Sequence, residues 1–130
     1  MATTYAENLI GSVTVGAGGA SSIDFTSIPS TYTDLCLKLS VRSNRTDSVK
    51  DVLNLKLNNT NTGLSERYLQ GNGTSTSSNS LTSYYGEVPA NTTVSSVFSN
   101  YEIYFPNYAG SNNKSFSIDS VEEDNTTLSI

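Results

Sequence analysis

Between residues 34 and 42 the chain reads Asp-Leu-Cys-Leu-Lys-Leu-Ser-Val-Arg, with Leu35, Leu37, Leu39 and Val41 on every second position. Successive side chains of a strand point to opposite faces, so four aliphatics fall on one side and Cys36, Lys38 and Ser40 on the other. A helix would scatter the same residues around its circumference. The spacing predicts a strand with one covered and one wet face, as antiparallel sheets commonly have.

The same rhythm recurs along the chain. Residues 9–15 carry Leu9, Ile10, Val13 and Val15, and residues 22–26 alternate around Ile23 and Phe25. In residues 52–58 Leu53, Leu55 and Leu57 alternate with Asn54, Lys56 and Asn58. Weaker strands are expected at 64–70 and 81–88, the second around Tyr84 and Tyr85 and ended by Pro89. Residues 97–105 place Tyr101, Ile103 and Phe105 on one face and Glu102 and Tyr104 on the other. Residues 115–121, with Phe116 and Ile118 inward, and a short segment at 127–130 complete the set.

Short strands at spacings of roughly 8–15 residues, joined by turn-rich connections, predict an all-β fold with antiparallel pairing. The expected form is a jelly-roll-like sandwich of two sheets with about eight strands, formed by residues 9–130. Residues 1–8 read as an extended N-terminal arm carrying Tyr5. No window of ten or more residues shows an apolar stripe at helical spacing.

Composition sharpens this picture. The chain has 130 residues, among them 22 Ser, 16 Thr and 14 Asn, and only 15% are charged. Ser, Thr and Asn favour turns and sheet faces over helix interiors. The run 71–80 is built from Gly, Asn, Ser and Thr alone, too polar to offset its ordering entropy by burial, so a mobile surface loop is expected there.

A net charge of −5 opposes binding to nucleic acid or to an anionic membrane surface, and no apolar run approaches a membrane span. The N-terminus lacks the basic start and apolar block of a secretory signal.

Candidate chemistry is sparse. With no His and one Cys, Ser-His-Asp and Cys-His nucleophile arrangements and Cys/His zinc sets are closed to this chain. Cys36, flanked by leucines, reads as a packing residue made in a reducing cytoplasm. The glycine-rich loop at 16–21 leads into a strand pattern instead of a helix, so it reads as a hairpin loop and not a phosphate cradle. Residues 122–125, Glu-Glu-Asp-Asn, offer oxygen ligands to calcium but match no known loop spacing, so a solvated acidic turn is expected. No catalytic residue, cofactor site or metal site is expected.

Five stretches carry a resemblance. They are residues 9–23, including Gly16-Ala17-Gly18-Gly19-Ala20-Ser21-Ser22-Ile23, and residues 25–35. The others are Arg67-Tyr68-Leu69-Gln70-Gly71-Asn72-Gly73, Ile103-Tyr104-Phe105-Pro106-Asn107-Tyr108, and residues 111–121. In this order they resemble a group of tailed-phage virion proteins common in marine and cyanobacterial phages. The resemblance implies a structural, non-enzymatic role on the particle exterior, either as a capsid decoration (cement) protein or as a tail-fibre component binding a cell-surface glycan.

Its implied partners are the major capsid protein or other virion proteins and further copies of itself, with a trimer favoured. Similar proteins continue past the equivalent of residues 122–125, whereas this chain ends at Ile130. A neighbouring subunit is therefore expected to cover the resulting sheet edge, through the arm at 1–8. Tyr5, Leu9, Tyr104 and Tyr108 are the candidate assembly contacts. In the fibre reading, loops 43–50, 71–80 and 107–114 would meet the glycan.

Overall fold

A computed structural model describes residues 7–82, 86–123 and 128–129. The described residues contain no helix. They form seven strands of three or more residues and a two-residue stub: β1 (Leu35–Val41), β2 (Lys50–Val52), β3 (Glu66–Gly71), β4 (Thr76–Leu81), β5 (Glu87–Pro89), β6 (Ser99–Phe105), β7 (Ser117–Glu123) and β8 (Leu128–Ser129).

Among the described residues all pairing is antiparallel, in three sheets: one of order β1-β6-β7-β8, the long-range pair β2-β5 and the hairpin β3-β4. The all-β antiparallel expectation therefore holds.

β6 is the centre of the molecule. Its inward positions Ser99, Tyr101 and Ile103 are buried, and Asn100, Glu102 and Tyr104 between them are exposed. Opposite them in β1 stand Val41, Leu39 and Leu37, so the two period-two patterns meet in phase. β5 lies over this face with Val88 and Pro89, which are buried, as is Ala90 just after the strand. Among the described residues the buried apolar core is Val88, Pro89, Ala90, Tyr101 and Ile103. Leu35, Leu37, Leu39 and Val41 are only half-buried.

The ends of the short strands are joined by single backbone bonds. Leu53 N–H donates to the Gly86 carbonyl at 3.0 Å and Ala90 N–H to that of Val49 at 3.0 Å, lengthening the β2-β5 pairing. Ser43 N–H donates to the Pro89 carbonyl at 2.9 Å, linking the end of β1 to β5. Each such bond adds on the order of 1 kcal/mol net, and it matters more that the buried carbonyl is satisfied.

Three expectations change. Residues 71–80 are not a mobile loop, because β4 runs antiparallel to β3, pairing Leu69 with Ser78 and Gly71 with Thr76. The turn is built by Asn72, whose Oδ1 accepts the N–H groups of Thr74 (3.1 Å) and Ser75 (2.8 Å), with Gly73 at φ 83°. Asn-Gly between two runs is a strong short-range hairpin signal, and it outweighs the polarity of the strand that follows.

The strands expected at 9–15 and 22–26 form no ladder. The turn between their limbs does form, with Gly19 N–H donating to the Gly16 carbonyl at 2.9 Å. Gly11 also lies opposite Phe25, where an added Cβ would sit 3.6 Å from the ring. Every described residue from 7 to 31 is nevertheless exposed.

At 52–58 only Val52 belongs to a strand. Leu53, Leu55 and Leu57 still alternate half-buried with exposed neighbours, so the faces are as expected, but their backbone bonds are single ones, Leu53 to Gly86 and Leu57 with Thr60, and no continuous ladder forms. Alternation reports which side is covered, whereas a ladder requires a second strand at about 5 Å.

Candidate assembly surface

Three of the four residues picked from the sequence for assembly lie among the described residues. Tyr5 lies outside the described residues. Leu9 is 84% exposed. Tyr104 and Tyr108 sit together at the β6–β7 turn, and both are engaged within the chain.

The Tyr104 hydroxyl donates to Asp34 Oδ2 at 2.7 Å, and the Asn107 backbone N–H donates to Asp34 Oδ1 at 2.7 Å. The Tyr108 hydroxyl donates to the Pro29 carbonyl. Asn107 is in the left-handed region at φ 48°, which turns its N–H toward Asp34. The bond from Asn107, and then that from Tyr104, hold the Asp34 carboxyl below its ordinary value of 3.8. These tyrosines thus fix where the exposed segment leaves the sheet. Their rings keep some outward surface, with Tyr104 41% exposed and Tyr108 half-buried.

From that anchor the segment runs beside β1. Asn8 Nδ2 donates to the Tyr32 hydroxyl at 3.3 Å, and a Cβ added at Gly19 would lie 4.0 Å from Asn44 Nδ2. Leu9, Ile10, Val13, Val15, Ile23, Phe25 and Ile28 are all exposed. Isolated exposed aliphatics are ordinary, but seven within twenty residues, with Asp24 the sole charge of residues 9–28, make an apolar surface of the kind that marks an interaction site. Leu9 alone was foreseen in this role. The repeated spacing of Val13, Val15, Ile23 and Phe25 was visible in the sequence, but it read as core-facing strand.

The outward face of β1 and β6 is polar. Lys38 and Glu102 lie directly opposite at 3.6 Å, a wet pair of small energetic value. Cys36 is on this face and exposed, so it is not the packing residue expected. Its position between leucines puts it on the other side of the strand from them. Partial loss of water at the sulfur, and then the Glu102 carboxylate, push its thiol above the ordinary value, which keeps it protonated and sluggish.

The charged groups that could support chemistry gather behind β6. Lys50 Nζ lies 2.9 Å from Glu87 Oε2 and 3.7 Å from Glu122 Oε2, and Gln70 Nε2 donates to Glu87 Oε2 at 3.3 Å. The Tyr101 hydroxyl donates to the Glu87 carbonyl, which also accepts from Ser99 Oγ at 3.2 Å. Burial first, then the Glu122 and Glu87 carboxylates, push the Tyr101 phenol far above its ordinary value.

Glu122, expected in an acidic turn, instead occupies the inward side of β7 and is buried against Lys50. β7 continues two residues past the expected end at Val121, and its alternation carries Glu122 to the covered face. Asp124 and Asn125 lie outside the described residues. Among the described residues no group of three or more His, Cys, Asp or Glu is arranged to hold a metal ion. A lysine between two carboxylates ties β2, β5 and β7 together, as ion pairs partly withdrawn from water can.

The β3-β4 hairpin carries a shallow, open, polar dish of about 350 Å³ lined by Arg67, Tyr68, Ser78, Asn79 and Ser80. Tyr84 and Tyr85, sugar-stacking candidates by residue type, lie outside the described residues.

No family model matches the chain, and no curated protein or solved structure shows significant similarity to it.

Proposed function

We propose that this chain is a structural protein of a phage virion, a decoration or cement protein that binds the outside of the capsid and stabilises it through contacts between subunits. The carrying observation is the exposed segment at 9–28. It presents seven large apolar side chains beside a sheet whose own inner aliphatics are only half-covered. A chain built this way has more apolar surface than its own core uses, which suits a protein completed by neighbours.

In this reading the three sheets belong to a jelly-roll-like sandwich, and the unit assembles as a symmetric homo-oligomer, a trimer being favoured. Its partner on the particle is the major capsid protein, and the chain is made in the host cytoplasm. It acts by binding the assembled shell and not the free coat subunits, so it stabilises by mass action and needs no cofactor or catalytic group. Particles prepared with and without the protein test this. A higher disruption temperature for decorated particles is the expected result, and equal temperatures would remove the cementing role.

A second reading, a tail-fibre or host-recognition module, is favoured by the dish on the β3-β4 hairpin, where Tyr68 stands among Arg67, Ser78, Asn79 and Ser80. A ring beside amide, hydroxyl and guanidinium groups suits a glycan. Specific, saturable binding of the isolated protein on a glycan array would favour this reading over the first.

A further inference from the structure

The chain as a whole exposes more surface than a compact monomer of its mass. The chain exposes 9617 Å², whereas a folded monomer of 13.9 kDa is expected to expose about 6,700 Å². The excess, roughly 2,900 Å², is more than the ~800 Å² that each partner gives to a standard interface.

Part of the exposed apolar surface lies on one segment. Residues 9–28 contain a formed turn and two limbs facing each other at Gly11 and Phe25, yet their large apolar side chains stay 37–84% exposed. The segment is also anchored at its exit, by Tyr108 on Pro29 and by Asp34 on Tyr104 and Asn107. It therefore leaves the sheet at a fixed point and presents Leu9, Val13 and Val15 outward beside β1.

The complementary surface is on the same molecule. β1 is the terminal strand of its sheet, paired with β6 on one side and with no strand on the other among the described residues. Its Leu35, Leu37, Leu39 and Val41 face is half-open. A chain that carries both an uncovered apolar limb and a half-covered apolar strand can satisfy both with one repeated contact. The segment's single charge gives a charged partner little to recognise.

We infer that residues 9–28 of one copy pack against β1 of a second copy of this chain, so that the inner face of β1 is completed by a neighbour. The inference deepens the oligomeric part of the proposed function and rests on it. It does not rest on the virion, and its test contains no particles.

Sedimentation of the full-length protein over a dilution series is expected to show a discrete oligomer that dissociates on dilution. The double variant Val13→Asp/Val15→Asp is expected to raise the midpoint for dissociation by roughly a hundredfold or more, because assembly would then bury two unpaired carboxylates. Leu69→Asp, at an 80% exposed site on β3, is expected to leave the oligomer intact. A wild-type monomer at every concentration would overturn the inference, as would a double variant that assembles like wild type.

Hydrogen exchange on the wild-type protein provides a second readout that needs no variant. Amides of 9–15 and 22–28 have no ladder in their own chain, so protection that grows with protein concentration is expected. Fast exchange at every concentration overturns the proposal. If the oligomer forms as described but does not bind capsids, the proposed function fails and this inference stands.

Discussion

Arg42, one residue past β1, donates from Nη2 to the carbonyl oxygen of Ala90, one residue past β5, at 3.0 Å. The same guanidinium reaches the carbonyls of Val94 (2.7 Å), Val97 (3.2 Å) and Thr93 (3.4 Å). One side chain thus organises the whole connection between β5 and β6 and satisfies carbonyls that have no strand to bond. Lysine keeps the charge but not the planar fork. Arg42→Lys is expected to cost about 2 kcal/mol in denaturant unfolding, with faster amide exchange over residues 90–97.

Gly86 shows a different dependence. Its φ of 154° is one that side-chain-bearing residues rarely adopt, and a Cβ there would overlap the Tyr101 ring. The close approach lets the Tyr101 hydroxyl meet the Glu87 carbonyl. Gly86→Ala is expected to destabilise by about 2 kcal/mol or more, through backbone strain and collision with a buried ring. Tyr101→Phe, which removes only the hydroxyl, is expected to cost about 1 kcal/mol. Thermal melts of the two variants give the order.

Ile103 is the largest fully buried aliphatic and stands on the central strand. Ile103→Ala is expected to cost about 3 kcal/mol, by lost transfer energy and a cavity under β5. Substitution at the exposed Val121 on the opposite face of β7 should change the unfolding midpoint little.

Acid should loosen the anchor of the exposed segment. Asp34 has its folded value depressed by the Asn107 N–H and the Tyr104 hydroxyl, so its contribution is present above the ordinary 3.8 and is lost as pH falls through the lower folded value. The gap in melting temperature between wild type and Asp34→Ala is therefore expected to be widest near neutrality and to close below pH 3.8.

Glu66 has the opposite sign. Burial raises its folded value above the ordinary 4.5, so its favourable contribution is present below 4.5 and is lost as pH rises through the folded value. Glu66→Gln is expected to melt higher than wild type at neutral pH, with the difference vanishing in acid. A variant that melts lower at neutral pH would show that the charge is needed.

How much of this was legible beforehand differs by element. The faces of 35–41 and 99–105 were readable because the period of a strand is local, two residues long and independent of the partner. Tyr104 and Tyr108 were readable as surface aromatics, but their bonds to Asp34 and Pro29 join positions 70 and 79 residues apart, and no spacing rule reaches that far. The run 71–80 reads as a loop because a strand of Thr, Ser and Asn carries no apolar alternation, and the Asn72-Gly73 turn signal in it went unused.

What the sequence determined by itself was the all-β character of the chain and the inward identity of Leu37, Leu39, Tyr101 and Ile103. Tertiary structure decided that Leu37 stands opposite Ile103, that Glu122 turns in to Lys50, and that residues 9–15, with the same rhythm as a core strand, have no ladder. The reason is physical. Alternation is a property of one strand, whereas backbone hydrogen bonding and burial are properties of a pair, and the pair is chosen by contacts across the fold.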